Sequence, residues 1–315
     1  MRVLIIGGTR FVGRVIAEEA FRRGHELTIF HRGNTNQGLF PAAREVLGDR
    51  EHDLHLISDQ RFDAVLDTSG YVPRIVRLSC EALTSASSLY VFVSTISVYP
   101  DGTQAPKEDS PLQALADPTV EQVNANTYGG LKALCEQEVL ISFANRALIL
   151  RPGLIIGPWD HTDRFTYWAA RAARGGRFPV PTEGGQPLQL IDARDQAAFA
   201  LDQVEALRAG IVNVAAPPEP YRFDEVLRTC ARVADSEIEP VFLPEAARNA
   251  PLCVDEGDYG LMHADTSLAR ARGLRSRPLA DTVGDLLAWD RERGNPVLGT
   301  GLTSEEEEEL LALRA

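Results

Sequence analysis

Lysine is almost missing from this chain: two residues, Lys107 and Lys132, stand against thirty arginines. Positive charge is short overall, with 32 Lys+Arg against 45 Asp+Glu, a formal charge of −13 and a pI near 5.0. That balance argues against a nucleic-acid or anionic-membrane partner, either of which needs a basic face. Cysteine is scarce too. Cys80, Cys135, Cys230 and Cys253 are scattered without metal-ligand spacing, which fits reduced thiols rather than a zinc set or a disulfide framework. No apolar run approaches the ~20 residues of a membrane span. The opening "MRVLIIGGT" breaks at glycine, far short of a secretory core, so the expectation is a cytoplasmic protein. No repeat recurs at a fixed period.

What is present is ordinary globular material. The 315 residues, 44% hydrophobic and 24% charged, suffice for one large or two modest domains. Apolar, β-branched runs alternate with helical patterns, the mark of an α/β chain. "RVLII", "HELTIF", "REVLGD", "FDAVLDTSG", "SSLYVFVST" and "RALILRPGLIIG" read as six successive strands. Strands one, five and six are apolar throughout, which predicts a parallel sheet buried on both faces. Between the first two strands, Phe11, Val12, Val15, Ile16 and Ala20 form a helical stripe that Gly24 stops. After Gly157 the chain turns aromatic and Arg-rich, then returns to a strand and helix in "LQLIDARDQAAFALDQV" and a strand in "GIVNVAA". The expected organisation is a dinucleotide-binding domain of residues 1–155 plus 188–215, and a smaller lobe of 156–187 plus 216–315. "SEEEEELLALRA" reads as a solvated C-terminal helix capped by Ser304, with no function of its own.

"IIGGTRFVG" joins the first strand to the first helix. Gly7 and Gly13 frame a tight turn at a helix N-terminus, where free N–H groups and the helix dipole favour a pyrophosphate. The context, strand before and helix after, is the one such a loop requires. Arg10 stands where a further glycine is usual, and its guanidinium can reach a phosphate. The second strand ends in "IFHRG", with His31 and Arg32 where NAD sites commonly hold an acid for the ribose 2′-hydroxyl. With Arg10 they predict a cationic pocket for a 2′-phosphate, hence NADP favoured over NAD. Asp49, after the third strand, is placed to meet the adenine amino group.

Tyr128 and Lys132 in "NTYGGLKALCEQ" share a helix face at i, i+4 spacing. An ammonium beside a phenol favours the phenolate and draws its pKa down from near 10. A tyrosine so tuned serves as general acid or base at a carbonyl or carbinol carbon. In a chain this partial to arginine, a retained lysine points to a need for a compact ammonium rather than a planar fork. A third hydroxyl is expected from "VFVSTISVY", where Ser94, Thr95 and Ser97 are equal candidates on alternation alone.

"GGTRFVG", "VSTISVYPD", "TYGGLK" and "LRPGLIIGP", in this order and spacing, resemble the extended short-chain dehydrogenase/reductases. More narrowly they resemble the NAD-dependent epimerase/dehydratase group with its atypical GGTRF members. The resemblance implies a Rossmann-type doubly wound parallel sheet with a smaller C-terminal substrate lobe. It implies a Thr95–Tyr128–Lys132 site, because the family's Ser/Thr stands three residues before the valine of a Val-Tyr pair, here Val98-Tyr99. Thr95 would orient the substrate oxygen, Tyr128 move the proton, and Lys132 tune Tyr128 and hold the ribose. Gly7, Thr9, Arg10, Phe11, Val12 and Gly13 would face the dinucleotide, and Asp67, Thr68, Ser69 and Gly70 would line its ribose and phosphates. The partner implied is a small-molecule substrate, with a homodimer formed through helices that include the Tyr-x-x-x-Lys one. Two departures bear on substrate class. Leu154 and Leu188 occupy places where nucleotide-sugar enzymes carry asparagine and arginine. Trp159, His161, Arg164, Tyr167 and Trp168 are candidate pocket residues of the lobe. Three readings follow: an NAD(P)-dependent oxidoreductase or epimerase, a nucleotide-sugar epimerase or dehydratase, and a non-enzymatic dinucleotide-responsive protein resembling chloroplast stem-loop RNA-binding proteins.

Overall fold

The computed structural model describes residues 1–248 and 250–312. The first half lays down β1 (Arg2–Ile6), α1 (Phe11–Arg22), β2 (Glu26–His31), β3 (Arg44–Leu47), α2 (His55–Ser58) and β4 (Phe62–Asp67). It continues with α3 (Pro73–Leu83), β5 (Ser87–Val93), α4 (Tyr128–Phe143) and β6 (Ala147–Pro152). Next come β7 (Leu154–Ile156), α5 (Arg164–Arg174), β8 (Gly176–Val180), β9 (Pro187–Leu188), β10 (Leu190–Asp192), α6 (Ala193–Glu205) and β11 (Gly210–Val214). The chain closes with β12 (Tyr221–Arg222), α7 (Phe223–Val233), β13 (Ile238–Phe242), α8 (Ser267–Ala271), α9 (Leu279–Glu292) and α10 (Ser304–Ala312).

Seven of these strands form one sheet in the order β3-β2-β1-β4-β5-β6-β11, every pair parallel. Alternation within β1 explains its unbroken apolar run. Val3 and Ile5 face the cluster built with α1 and α6, while Leu4 and Ile6 face the one built with α3 and α4. A strand buried on both faces has no solvent side to mark with polar residues. The order reverses between β1 and β4, and a crevice at the carboxyl ends of the strands opens at such a switch point. α1 ends where expected, with Gly24 at φ +78 just beyond it.

Two local expectations change. "RALILRPGLIIG" is not one strand. Gly153 N donates to Val214 O of the main sheet, whereas Leu154 N donates to Gln189 O, so β7 leaves to pair with β10. The C-terminal acids are not all solvated either. Glu307 is buried and ion-paired with Arg171 at 2.8 Å and Arg174 at 3.0 Å. α10 begins at a reciprocal cap in which Thr303 Oγ1 accepts from Glu306 N and Glu306 Oε2 accepts from Thr303 N. That makes Thr303, not Ser304, the capping residue. Residues 313–315 of that stretch lie outside the described residues.

A separate apolar cluster joins α5, α7, α9 and β8 around Trp168, Phe223, Val283 and Phe178. β8 pairs with β13, and β9 with β12, in two-stranded sheets of this lobe. α8 returns to the sheet, where Ala269 joins the α1/α6 cluster. Among the described residues, no helix is long and apolar enough to cross a membrane.

Candidate active site

A cleft of about 990 Å³ runs along the carboxyl ends of the strands between sheet and lobe. On the sheet side it is lined by Gly7, Thr9, Arg10, Phe11, Val12 and Gly13, and by Thr68 and Ser69 after β4. Arg10 stands in extended backbone just ahead of α1, whose first turn carries no acid to occupy its free N–H groups. The helix lies hard against the loop. A Cβ on Gly13 would come within 2.7 Å of both Gly8 N and Thr68 Oγ1. Such a close backbone cradle at a helix N-terminus is what a pyrophosphate requires.

Arg32 and Asp49 also line the cleft. His31 lines it but is buried and fully engaged, and this corrects its expected role. Its Nδ1 accepts from Gly33 N at 3.1 Å, so Nε2 carries the proton and donates to Glu45 Oε1 at 2.8 Å. A ring whose two nitrogens are taken up by Gly33 N and Glu45 is not free to bind a 2′-phosphate. Asp67 is likewise withdrawn from the expected ribose contact. It is fully buried, gripped by Arg50 at 2.7 and 3.2 Å, and accepts from Tyr90 and from Ser69 N. Burial pushes its carboxyl up, but Arg50 outweighs that and holds it below the usual range. Gly70 does not line the cleft; its carbonyl instead accepts a hydrogen bond from Lys132. Arg50, which does line it, had only its place in "LGDR" to announce it.

Tyr128 opens α4, and Thr95 sits ahead of a tight turn over Ile96–Val98. The "YGG" after Thr127 explains how the two meet. A Cβ on Gly129 would stand 2.0 Å from Ser97 O, so only glycine lets the helix press onto the turn. Thr95, Tyr128 and Lys132 all line the cleft, together with Ser94 and Ser97. The three hydroxyls differ in what they do. Ser94 donates to buried Glu136 at 2.5 Å, Thr95 donates to Ser97 Oγ at 3.2 Å, and of the three it is Thr95 that lowers the Tyr128 pKa.

Burial pushes the Tyr128 phenol up to about 12, helped by neighbouring Tyr71, while Thr95 and then Arg164 pull the other way. Lys132 is not among the largest influences on it. Its Nζ donates instead to Gly70 O at 2.8 Å and Val93 O at 2.7 Å, over the Phe92 ring, and burial lowers its pKa to about 8. Among the described residues, one of its three N–H donors remains. Behind the pair, Arg151 grips Glu136 at 2.6 Å and donates to Tyr99 Oη, which donates to Asn213.

The lobe candidates separate. His161 and Arg164 line the cleft with Asp160 and Thr162, and so does Leu154. Trp159 lies instead between Arg14, 3.5 Å above its ring, and Trp289. Tyr167 and Trp168 are buried in the lobe core, as is Leu188. Met262, from the late part of the chain, reaches the cleft without any sequence signal.

The model of the NAD dependent epimerase/dehydratase family matches residues 3–215. The chain belongs to that family. This is the extended short-chain dehydrogenase/reductase type that the motifs resemble. A curated relative, the chloroplast stem-loop binding protein of 41 kDa b from Arabidopsis thaliana, is 27% identical over 256 residues. The match covers 73% of this chain and 62% of that relative's length. UDP-glucose 4-epimerase from Thermotoga maritima superposes with a TM-score of 0.72 at 16% identity, covering 93% of this chain and 99% of that one. UDP-glucuronic acid 4-epimerase from Bacillus cereus, solved with NAD, gives 0.73 at 15% identity over 93% and 97%. At these identities the structures attest the shared fold. The glycine cradle, the free α1 N-terminus and Lys132's remaining donor fit a nicotinamide dinucleotide in the epimerase/dehydratase cleft.

Proposed function

We propose that the protein is an NAD(P)-dependent oxidoreductase or epimerase acting at a carbinol or carbonyl carbon, with Tyr128 as its acid/base. The observation that carries this is that Thr95, Tyr128 and Lys132 line the same cleft as the glycine loop. The dinucleotide, when bound, supplies the hydride or accepts it. Thr95 holds the substrate oxygen where Tyr128 can reach it. With its phenol near 12, Tyr128 is protonated at neutral pH and is set to donate a proton to that oxygen as the carbonyl is reduced. Lys132, locked by two carbonyls, offers its third N–H to the ribose and keeps positive charge beneath the site. NADP remains the favoured dinucleotide on Arg10 and Arg32 alone, which share the cleft and form no ion pair among the described residues. The substrate is a small molecule rather than a nucleic acid or a membrane, and the setting proposed is the cytoplasm.

Tyr128→Phe should lower NADPH-dependent carbonyl reduction by about 10²–10⁴-fold and leave NADPH affinity within about twofold. Unchanged turnover would end this reading. A nucleotide-sugar epimerase is less favoured, because Leu154 puts an apolar wall in the cleft and Leu188 is core. The name of the Arabidopsis relative supports an RNA-binding alternative. Net charge opposes it. A gel shift at physiological salt decides, with no shift at micromolar protein closing that alternative.

A further inference from the structure

We propose that residues Asp160–Arg164 recognise the substrate, and that they select a hydroxylated anion, Asp160 taking a hydroxyl and Arg164 a carboxylate or phosphate. This rests on the oxidoreductase reading only for calling the ligand a substrate. The segment is a hydrogen-bonded unit facing the cleft. Asp160 Oδ1 accepts from Thr162 N at 2.9 Å and from Thr162 Oγ1 at 2.6 Å, and Thr162 Oγ1 accepts from Arg164 Nε at 3.2 Å. What the unit leaves free is specific. Asp160 is 1% exposed, yet its Oδ2 has no hydrogen-bond partner among the described residues. A buried carboxylate oxygen without a donor is uncommon and calls for one. Arg164 is exposed, has no ion pair among the described residues, and commits only Nε, so its two terminal nitrogens can take an anion in bidentate fashion.

The backbone is held for this purpose. Trp159 at φ +72 and Asp163 at φ +55 bracket the segment in left-handed conformations that side chains disfavour. Each is pinned from outside: Trp159 between Arg14 and Trp289, and Asp163 by Arg293 at 2.7 Å. Strain maintained by its surroundings is characteristic of ligand clamps. The position relative to the chemistry is also right, since the Arg164 charge acts on the Tyr128 phenol. The donor for Asp160 is a hydroxyl rather than an ammonium. Arg10 and Arg164 both line this end of the cleft and oppose a cation there; burial and then Arg10 lower the His161 pKa, with Arg164 adding to them and Asp160 and Asp163 pulling the other way.

The test is calorimetric titration of the NADP-loaded protein with D-glucuronate, glucose 6-phosphate and neutral D-glucose. Both anionic sugars should bind at least about tenfold tighter than glucose. Arg164→Gln should erase that preference. Asp160→Asn keeps Oδ1 for Thr162, and should weaken all three sugars about tenfold with the preference intact. A preference for glucuronate over the phosphate, or the reverse, identifies the anion. Equal binding of neutral and anionic sugars, no binding of any, or variants that match wild type would overturn the proposal. Should Asp160→Asn fail to fold, the exposed Arg164→Gln carries the test alone. These titrations measure binding without turnover, so a Tyr128→Phe result against the oxidoreductase reading leaves them separately decisive.

Discussion

The two walls of one cleft are built on opposite plans. On the sheet side the buried charges are partnered: Asp67 with Arg50, Glu136 with Arg151, and Lys132 on two carbonyls. On the lobe side, Trp159 and Asp163 are strained, and Asp160 Oδ2 is buried without a partner among the described residues. The difference teaches where each wall expects its ligand to contribute. Paired buried charges hold a fixed geometry whether or not anything binds, which suits the support of a dinucleotide cradle. Unmet hydrogen-bonding capacity costs free energy until a ligand meets it, which suits a wall that discriminates among substrates.

The contrast is open to direct attack. Arg151→Leu should strand Glu136 in the sheet-side network and cost about 3–5 kcal/mol of stability by urea melting. Asp160→Asn should change stability by no more than about 1 kcal/mol, because no pair is broken there. Equal costs at both sites would abolish the distinction between the walls.

A pH titration of stability sharpens the comparison further. Lys132 titrates near 8 in the fold and near 10.5 when unfolded. Between those values the unfolded chain binds more protons, so stability should climb as pH rises from about 8 to 10.5. The total is about 3 kcal/mol, and Lys132→Met should flatten that climb in melts across this range. Below pH 8 the cost of burying the charge is present in full.

Smaller effects follow. Gly13→Ala should cost about 1–3 kcal/mol by overpacking, visible in a thermal melt, since its Cβ meets the loop backbone. Gly185→Ala, in the lobe with nothing within 4 Å of the new Cβ, should fall within about 0.5 kcal/mol of wild type. Arg32→Ala should weaken NADPH about tenfold, near 1.4 kcal/mol, with NADH unchanged in a fluorescence titration. Tighter NADH binding by the wild type would end the NADP preference.

Legibility followed the same division. The strand and helix patterns, the glycine loop and the Tyr128–Lys132 spacing are local, and local periodicity reports what one element buries. His31 shows where that stops. Its place at the end of β2 was plain, but Glu45 on the neighbouring strand and Gly33 N determine what its ring nitrogens do. Lys132 is similar: helical spacing put it near Tyr128, while Gly70 and Val93, from two other segments, claim its ammonium. Gly153 is a third case, because the switch of partners from Val214 to Gln189 depends on strands far along the chain.

By itself the amino-acid order determined an α/β chain with a phosphate-ready loop at its start and a tyrosine and a lysine one helical turn apart. Those features rest on neighbours a few residues away, where backbone geometry leaves few alternatives. Only the tertiary structure decided which charges are spoken for and which are left open. Pairing is settled by side chains brought together from distant parts of the sequence, and burial sets how much each pairing is worth.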